Sequence, residues 1–578
     1  YSCHTSWITS CAGCHLPIEA NWMTERHHYE GGVTRNFATY NPQVARDQMF
    51  MLGLRGSAND EKIAPVRSSS ALVLSSTNAN RERIYVQQPP VSAAGYSSQA
   101  FNPHFPHTVR AEETKTCSDC HLSADNDNNA IMAQLLLLGT NFVNFVGFNT
   151  WVGTESDVAA VQVTEWDEPQ AVIGSYLHRY AYPDRYQAHT ERSRVLETAY
   201  NHASGVANCL QLRGEYLYVA EGSRGFRVYD VANVANKGFS QRIVTAPFSG
   251  LGHDTAVSSE DATCVALPTN QPIAPERNTG ELMRVTNQEQ PFHPIYNYAL
   301  VTDRQEGLIL VDVNTLADGE LDNNFLERSL TWDGDGALAG ASHITIAGHY
   351  AYVAADAGIA VVDLDDPLAP RIAAVIPLTG VRASAVQFRY LFVTDSAGLR
   401  VVDVTHPSAP KIVDSAYVPL ADAHRIYVAR TYAYVAAGAD GIAVIDVERP
   451  EAPRLVELFD ADGALVDARD IVVGSTNASL FAYVADGVGG LKVLQLTSPE
   501  SQPNFYGFSP APRPELIASY ATSAPAIALS KGLDRDRAVD ETGHQIAVFG
   551  RLGSRPFTLA EMQQLYLDDS GRPWYVED

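Results

Sequence analysis

A motif that recurs about every 40 residues in the second half of the chain constrains the fold more than any other feature of the sequence. Three strong copies read HYAYVAADAGIAVVDLDDPLAPRIAAV (349–375), RYLFVTDSAGLRVVDVTHPSAPKIVDS (389–415) and TYAYVAAGADGIAVIDVERPEAPRLVEL (431–458). Weaker copies occupy 215–231, 297–313 and 480–496. A repeat of this length indicates a row of similar units that bury their apolar faces against one another.

Each copy predicts four short β-strands with glycine at the turns. A strand such as DARDIVV precedes a strand rich in aromatic residues and Val, and a second β-branched strand and a last strand follow. Four such strands at this spacing are typical of a β-propeller blade. The second β-branched strand ends in an aspartate, which we expect to accept backbone hydrogen bonds in the next turn and so to be structural. These aspartates are Asp230, Asp312, Asp363, Asp403 and Asp446.

A propeller needs a closing blade, and the two ends of the repeat region each supply part of one. Residues 159–176 match the later strands of a repeat, and residues 524–550 match the early strands. Joining them predicts a composite blade and seven blades in total, with six as the alternative. The predicted propeller domain spans residues 151–555, and residues 556–578 form a C-terminal tail.

The first part of the chain carries a different signature, two C-x-x-C-H motifs. They are CAGCH (Cys11, Cys14, His15) and CSDCH (Cys117, Cys120, His121). A zinc site built from both pairs leaves the two histidines unexplained, and a thioredoxin-like dithiol lacks its βαβ context. Covalent haem c uses every residue of the motif, because the cysteines form thioethers and the histidine is the proximal iron ligand. The sequence therefore predicts two haem c sites.

A third haem site is predicted at the start of the sequence. Cys3 and His4 match the second half of the same motif, so the chain is expected to begin inside a haem-binding motif, with more protein upstream; a lone cysteine paired elsewhere is the alternative. Because methionine is scarce, histidine is the expected distal ligand. The candidates lie in the segments TERHHYEGG and NPHFPHTVR: His27, His28 and His107, followed by His104.

These motifs predict a haem-packed cytochrome c module of mostly α or irregular structure over residues 1–150. Its last motif, CSDCH, is predicted to lie near the junction with the propeller. The most apolar stretch, 131–148, is interrupted by Gln134, Asn141 and Asn144, which indicates a buried helix leading into a loop; no stretch is predicted to span a membrane.

Two smaller features leave alternatives open. Asp125, Asp127 and Asn129 have the alternating spacing of a calcium loop, but the glycine and terminal glutamate of an EF-hand are missing, which favours a polar turn that caps a helix. Cys209 and Cys264 occupy matching places in two successive repeats. They are either a disulfide between neighbouring inner strands or two buried thiols.

Charge and haem chemistry limit the partners and the compartment. The net charge of −26 disfavours binding to nucleic acid. Thioether haem attachment takes place outside the cytoplasm, so we expect an extracytoplasmic protein located in the periplasm, on the outer cell surface or outside the cell.

The segments GIAVVDLDDP, GLRVVDVTHP and GIAVIDVERP resemble the LVIVD-repeat family of extracytoplasmic propellers. Their combination with C-x-x-C-H motifs resembles large multihaem c-type cytochromes. The resemblance implies electron transfer through closely packed bis-histidine haems, with the propeller as a docking or structural module for other redox proteins or further copies of a cytochrome assembly. Two alternatives are a multihaem reductase with one open haem, acting on nitrogen or sulfur oxyanions, and a binding or adhesion propeller with an accessory cytochrome.

Overall fold

The computed structural model describes most of residues 149–531 and short segments of backbone elsewhere. The described ranges are 149–165, 171–213, 216–230, 244–245, 256–268, 294–316, 325–387, 390–429, 431–475, 479–498, 500–501 and 511–531. Strands outside this region pair as Thr24–Glu25 with Val33–Thr34, Phe50–Leu54 with Ile63–Arg67 and Pro103–His104, Ser76–Thr77 with Arg83–Tyr85, and Arg551–Leu552 with Arg555–Pro556.

Seven antiparallel sheets form a β-propeller, here numbered as blades 1 to 7. Blades 2 to 7 are each continuous in sequence, and their first to fourth strands follow chain order. Blade 2 contains Cys209–Arg213, Tyr216–Ala220, Phe226–Asp230 and Val244–Thr245, with Ala256–Val257 also paired to the third strand. Blade 3 contains Ala262–Ala266, Tyr298–Asp303, Gly307–Asp312 and Glu327–Trp332. Blade 4 contains His343–Ala347, Tyr350–Ala355, Gly358–Asp363 and Arg371–Ile376.

The remaining continuous blades repeat this plan. Blade 5 contains Val381–Gln387, Tyr390–Asp395, Gly398–Asp403 and Lys411–Pro419. Blade 6 contains Ile426–Ala429, Tyr432–Ala436, Ile442–Asp446 and Arg454–Phe459. Blade 7 contains Asp470–Ser475, Leu480–Ala485, Leu491–Thr497 and Glu515–Tyr520. Short 3₁₀ helices, Pro294–Asn297 and Asn314–Leu316, flank the second and third strands of blade 3.

Blade 1 joins the two ends of the ring. Its first strand, Ala526–Lys531, pairs with Asn149–Thr154, which is followed by Val158–Gln162 and Thr198–His202. One strand therefore comes from the C-terminal side and three from the N-terminal side. The sequence pattern placed two strands within 159–176, but residues 171–175 form a turn that leads into a helix.

The first strands form a closed ring, since each lies against the first strands of both neighbouring blades, from blade 1 through blade 7 and back to blade 1. This contact pattern confirms seven blades and excludes the six-bladed alternative. Within the predicted cytochrome module, the structure describes short pieces of backbone, namely the strands given above, and its haem-attachment motifs lie outside the described residues. Residues 144–145, at the end of the segment predicted as a buried helix, instead form a strand that runs parallel to Gly474–Ser475 of blade 7.

The repeated residues of each blade have local physical roles. Asp363 accepts a hydrogen bond from the Asp365 backbone N–H at 3.0 Å and pairs with Arg371 at 2.8 Å. The corresponding aspartates of blades 3, 5 and 6 accept the same backbone bond, which confirms their predicted structural role. Gly358 opens a third strand at a φ of +124°, and a Cβ atom there would lie 2.1 Å from the Ile376 carbonyl oxygen of the fourth strand.

The core lies between the blades. Large aromatic side chains of the second strands are fully buried there, among them Tyr352, Phe392, Tyr434 and Tyr483. Because side chains alternate along a strand, each blade offers one apolar face to each neighbour. Interdigitation of these faces supplies the hydrophobic stabilisation of the ring.

Two short helices, Tyr176–Ala181 and Pro183–Glu191, lie between the third and fourth strands of blade 1. The segment that follows them binds the outer strand of blade 7: the Leu196 N–H donates to the Ser519 carbonyl at 2.8 Å, and the Ser519 N–H donates to the Arg194 carbonyl at 2.9 Å. The ring is thus closed twice, at its inner strands and at its rim. Within the described part of the chain, no helix has the length and apolar character needed to cross a membrane.

Candidate channel-mouth site

The first strands line the axis of the propeller, and all seven begin on the same face of the ring. We call this the upper face; the first strands end on the lower face. The chain enters the ring on the lower face, because Thr150 pairs with Lys531, the last residue of a first strand. A first strand of about six residues separates the two faces by about 20 Å.

Seven positions, one in each blade, share the same register near the upper face. Each pairs with the equivalent residue of its own second strand, so together they form one layer around the axis, which we call the channel-mouth layer. In order from blade 2 to blade 1, they are Cys209, Cys264, His343, Ala383, Arg425, Asp470 and Ala528. A layer that only filled space would need small apolar residues such as the two alanines. The other five positions bear a disulfide, an imidazole, a guanidinium and a carboxylate.

Cys209 and Cys264 are joined by a disulfide that closes a sequence separation of 55 residues. The sequence left open whether these two cysteines form a disulfide or remain buried thiols, and the structure shows the disulfide. It ties the first strand of blade 2 to that of blade 3. Both cysteines are buried, at 8% and 2% exposure.

Arg425 reaches across the channel from blade 6 to blades 2 and 3, which lie on the far side of the ring. Its Nη1 atom lies 3.5 Å from Cys264 Sγ, and its Nη2 atom lies 3.5 Å from the carbonyl oxygen of Asn208. Both contacts are at the outer limit of hydrogen bonding. Burial lowers the pKa of Arg425, and the Asp470 charge raises it. No carboxylate of the described residues forms an ion pair with this guanidinium.

Asp470 is anchored by backbone donors. Its Oδ2 accepts from the Leu529 N–H at 2.9 Å and its Oδ1 from the Ile471 N–H at 2.8 Å. Burial raises the pKa of Asp470 to about 6, against the smaller opposing effects of Arg425 and the two backbone donors.

This raised pKa predicts a pH dependence of stability. The folded pKa of about 6 exceeds the usual 3.8, so the folded protein holds the Asp470 proton more tightly than the unfolded chain does. The resulting stabilisation is complete below about pH 4 and is lost as the pH rises through about 6. Urea unfolding of the wild type and of Asp470→Asn should therefore show the variant gaining in relative stability from about pH 4 to about pH 7.

The Asn variant keeps one acceptor oxygen and puts an amide NH₂ in place of the other, so it also loses one of the two backbone hydrogen bonds. That loss does not vary with pH, so the pH-dependent part of the difference reports the charge. Asp467→Asn is the matched control, since Asp467 lies on the same face and pairs with Arg469 at 2.7 Å. A wild type and Asp470→Asn variant with parallel pH profiles would contradict the effect of burial on Asp470.

His343 is 8% exposed, and its Nδ1 atom has no hydrogen-bond partner among the described residues. Burial and the Arg425 charge lower the pKa of His343 well below its usual range. The imidazole is therefore neutral at physiological pH and offers one donor and one acceptor nitrogen.

A second polar cluster lies beside the helices of blade 1. His178 Nε2 lies 2.7 Å from Glu165 Oε1, and His178 Nδ1 accepts from the Gly174 N–H at 3.1 Å. Glu165 also accepts from Arg185 at 2.6 Å. Both nitrogens of His178 have protein partners, so this cluster anchors the helices and is not a candidate binding site.

The predicted cofactor sites lie outside the described residues. These comprise the haem-attachment cysteines, the proximal and distal histidine candidates, and the Asp125, Asp127 and Asn129 cluster; for His104 only the backbone is placed, on the strand that pairs with Phe50. The part of the chain that the structure describes holds no group of three or more His, Cys, Asp or Glu side chains arranged for a metal ion.

Comparison with protein families identifies four LVIVD repeats, at residues 204–245, 340–374, 385–417 and 421–461. They cover blade 2 and blades 4 to 6. A comparison with curated proteins gives no match.

Several solved structures are similar to this chain at low identity. The β-propeller domain of Cps50 (Swd1) from Myceliophteria thermophila is 10% identical, with a TM-score of 0.37 over 62% of this chain and 97% of that domain. Apo AztD from Citrobacter koseri is 13% identical, with a TM-score of 0.35 over 66% of this chain and 84% of its own. A functionally unknown protein from Desulfotomaculum acetoxidans is 12% identical, with a TM-score of 0.32 over 68% of this chain and 90% of its own. Likeness at this level bears on neither function nor ligand. The chain therefore carries LVIVD repeats within a seven-bladed β-propeller.

Proposed function

We propose that this chain is an extracytoplasmic multihaem c-type cytochrome that transfers electrons, with the propeller as its docking or structural module. The observation that carries the proposal is the pair of complete C-x-x-C-H motifs, Cys11–His15 and Cys117–His121, upstream of the ring. Each motif supplies two thioether cysteines and a proximal ligand for one haem c. Cys3 and His4 match the last two residues of the same motif and are the candidates for a third site.

The disulfide between blades 2 and 3 supports the location. Disulfides persist in oxidising compartments and are rare in the cytosol. Thioether haem attachment has the same requirement for an extracytoplasmic location. Two independent uses of cysteine in one chain thus favour the same compartment.

The entry of the chain on the lower face suggests where an electron-transfer partner would bind. The last haem motif ends at His121, upstream of the strand in which Phe145 pairs with Ser475, at the lower end of a first strand. A redox partner close to this haem would then contact the lower face. The channel-mouth layer on the upper face would stay free for another ligand.

Haem content is the direct test. The full chain, produced in a host that matures c-type cytochromes, should contain two or three haems by intact mass and by the pyridine haemochrome spectrum. Cys117→Ala/Cys120→Ala should lose one haem and keep the far-ultraviolet circular dichroism of the ring. Cys209→Ala/Cys264→Ala is the matched control and should lose none. A wild-type chain without covalent haem would overturn the proposal.

Carbon monoxide distinguishes electron transfer from the reductase alternative. Haems with two histidine ligands have no open position, so their reduced spectra should not change with carbon monoxide. If carbon monoxide changed the reduced spectrum by the amount expected for one haem in every chain, the multihaem reductase would be favoured instead. The candidate distal ligands are then tested singly, beginning with His27, His28 and His107.

A further inference from the structure

The anomaly in the channel-mouth layer is the guanidinium of Arg425. Arginine is rarely buried unless it is paired. Arg425 is half-buried, and its five N–H donors have two hydrogen-bond contacts with the part of the chain that the structure describes, both 3.5 Å long. Neither contact is with a carboxylate, so the positive charge on this side of the channel is only weakly compensated.

Asp470 does not provide the missing ion pair. Its two oxygens are held by the backbone N–H groups of Ile471 and Leu529, and it interacts with Arg425 only at longer range. The backbone bonds fix the carboxylate on the wall formed by blades 7 and 1. The Arg425 head lies instead against blades 2 and 3, next to Cys264 and Asn208.

His343 supplies a second group without a partner. It occupies the layer position of blade 4, which neighbours blade 3, and it interacts electrostatically with Arg425. Its Nδ1 atom is buried and has no hydrogen-bond partner within the described ranges. A buried polar atom of this kind normally finds a partner in protein, water or ligand.

We propose that the upper mouth of the channel binds a small carboxylate, held by the planar guanidinium of Arg425 and by the neutral imidazole of His343. A carboxylate matches the fork of a guanidinium with two parallel hydrogen bonds, and such bonds are roughly twice as strong as neutral ones. The carboxylate supplies the missing counter-charge of Arg425 and an acceptor for His343. This site does not depend on the haem content of the chain.

The titratable side chains of the layer determine how carboxylate binding changes with pH. Four positions of the layer do not titrate: the disulfide-bonded cysteines of blades 2 and 3, and Ala383 and Ala528 of blades 5 and 1. His343 is neutral and Arg425 is charged throughout the range around neutrality. Asp470 is the group in the layer that titrates there, and its ionised form repels an anion. Carboxylate binding should therefore tighten as the pH falls through about 6.

Calorimetric titration of the full-length haem-loaded protein with formate tests the site, with chloride at equal ionic strength as the reference. We expect saturable binding of one formate per chain beyond the effect of chloride. Arg425→Gln should weaken it by at least about tenfold. Arg469→Gln removes an exposed arginine from the same face and should leave the affinity unchanged. Asp470→Asn should abolish the pH dependence.

Two further measurements keep the test decisive if Arg425→Gln fails to fold. Arg425→Lys keeps the charge but not the planar fork, so its affinity should be reduced with the structure retained. The wild type alone should bind formate several-fold more tightly at about pH 5.5 than at about pH 7.5. The proposal is overturned if formate has no effect beyond that of chloride, or if either Arg425 variant binds formate as tightly as the wild type.

Discussion

Removal of the Cys209–Cys264 disulfide is expected to lower the free energy of unfolding of the propeller by about 4 kcal/mol. The bridge spans 55 residues, and the entropy that a cross-link of this length removes from the unfolded chain corresponds to that value. The bridge also joins the first strands of blades 2 and 3, where the ring is narrowest. The measurement is urea unfolding of Cys209→Ala/Cys264→Ala against the wild type, followed by the far-ultraviolet circular dichroism of the ring.

Reductant separates the disulfide from the packing of the two side chains. Dithiothreitol should lower the stability of the wild type and leave that of the double alanine variant unchanged. The reduced wild type and the variant should then differ only by the small packing contribution of the sulfur atoms. A double variant as stable as the oxidised wild type would show that the rim contacts of blades 1 and 7 and the inner strands hold the ring without the bridge.

Most of the propeller could be predicted from the sequence because its determinants are local and repeated. The aspartate that ends the third strand of blades 3 to 6 accepts a hydrogen bond from the residue two positions further on, as Asp363 does from Asp365. The four-strand pattern can be recognised within a single repeat, and the period follows from comparing successive copies. Closure was harder, because Asn149–Thr154 reads NTWVGT: it keeps the aromatic–Val pair as Trp151 and Val152, but has Asn149 where the other second strands have Tyr or Phe. The two helices inserted before Thr198–His202 further separate the strands of blade 1.

The channel-mouth layer could not be predicted, because it depends on register among strands that are far apart in sequence. Cys264 and Arg425 are separated by 161 residues but touch in the ring. A signal was present in the aligned repeats. The residue just before each apolar first-strand core is small in two blades, whereas Arg425 and Asp470 hold the same position in blades 6 and 7. Polar residues at a position that should only fill space indicate a site.

Gly398→Ala is expected to destabilise the propeller by about 3–5 kcal/mol, among the largest effects of any single methyl group in the ring. Gly398 opens the third strand of blade 5 at a φ of +150°, where other residues are strained. A Cβ atom there would lie 2.1 Å from the Val418 carbonyl oxygen and 3.0 Å from the Leu420 nitrogen. Both are backbone atoms of the neighbouring strand and its continuation, so the overlap is relieved only by moving that strand.

Gly463→Ala is the matched control for this overlap. Gly463 has a φ of +81°, but a Cβ atom there has nothing within 4 Å. Its substitution should cost only backbone strain, about 1–2 kcal/mol. The difference between the two variants in urea unfolding therefore measures how closely the fourth strand approaches the glycine turn. If both variants lost the same free energy of unfolding, the fourth strand would move aside at no cost. If Gly398→Ala lost about 2 kcal/mol more than Gly463→Ala, the repeated glycine would be what allows the third and fourth strands of a blade to pack at this distance.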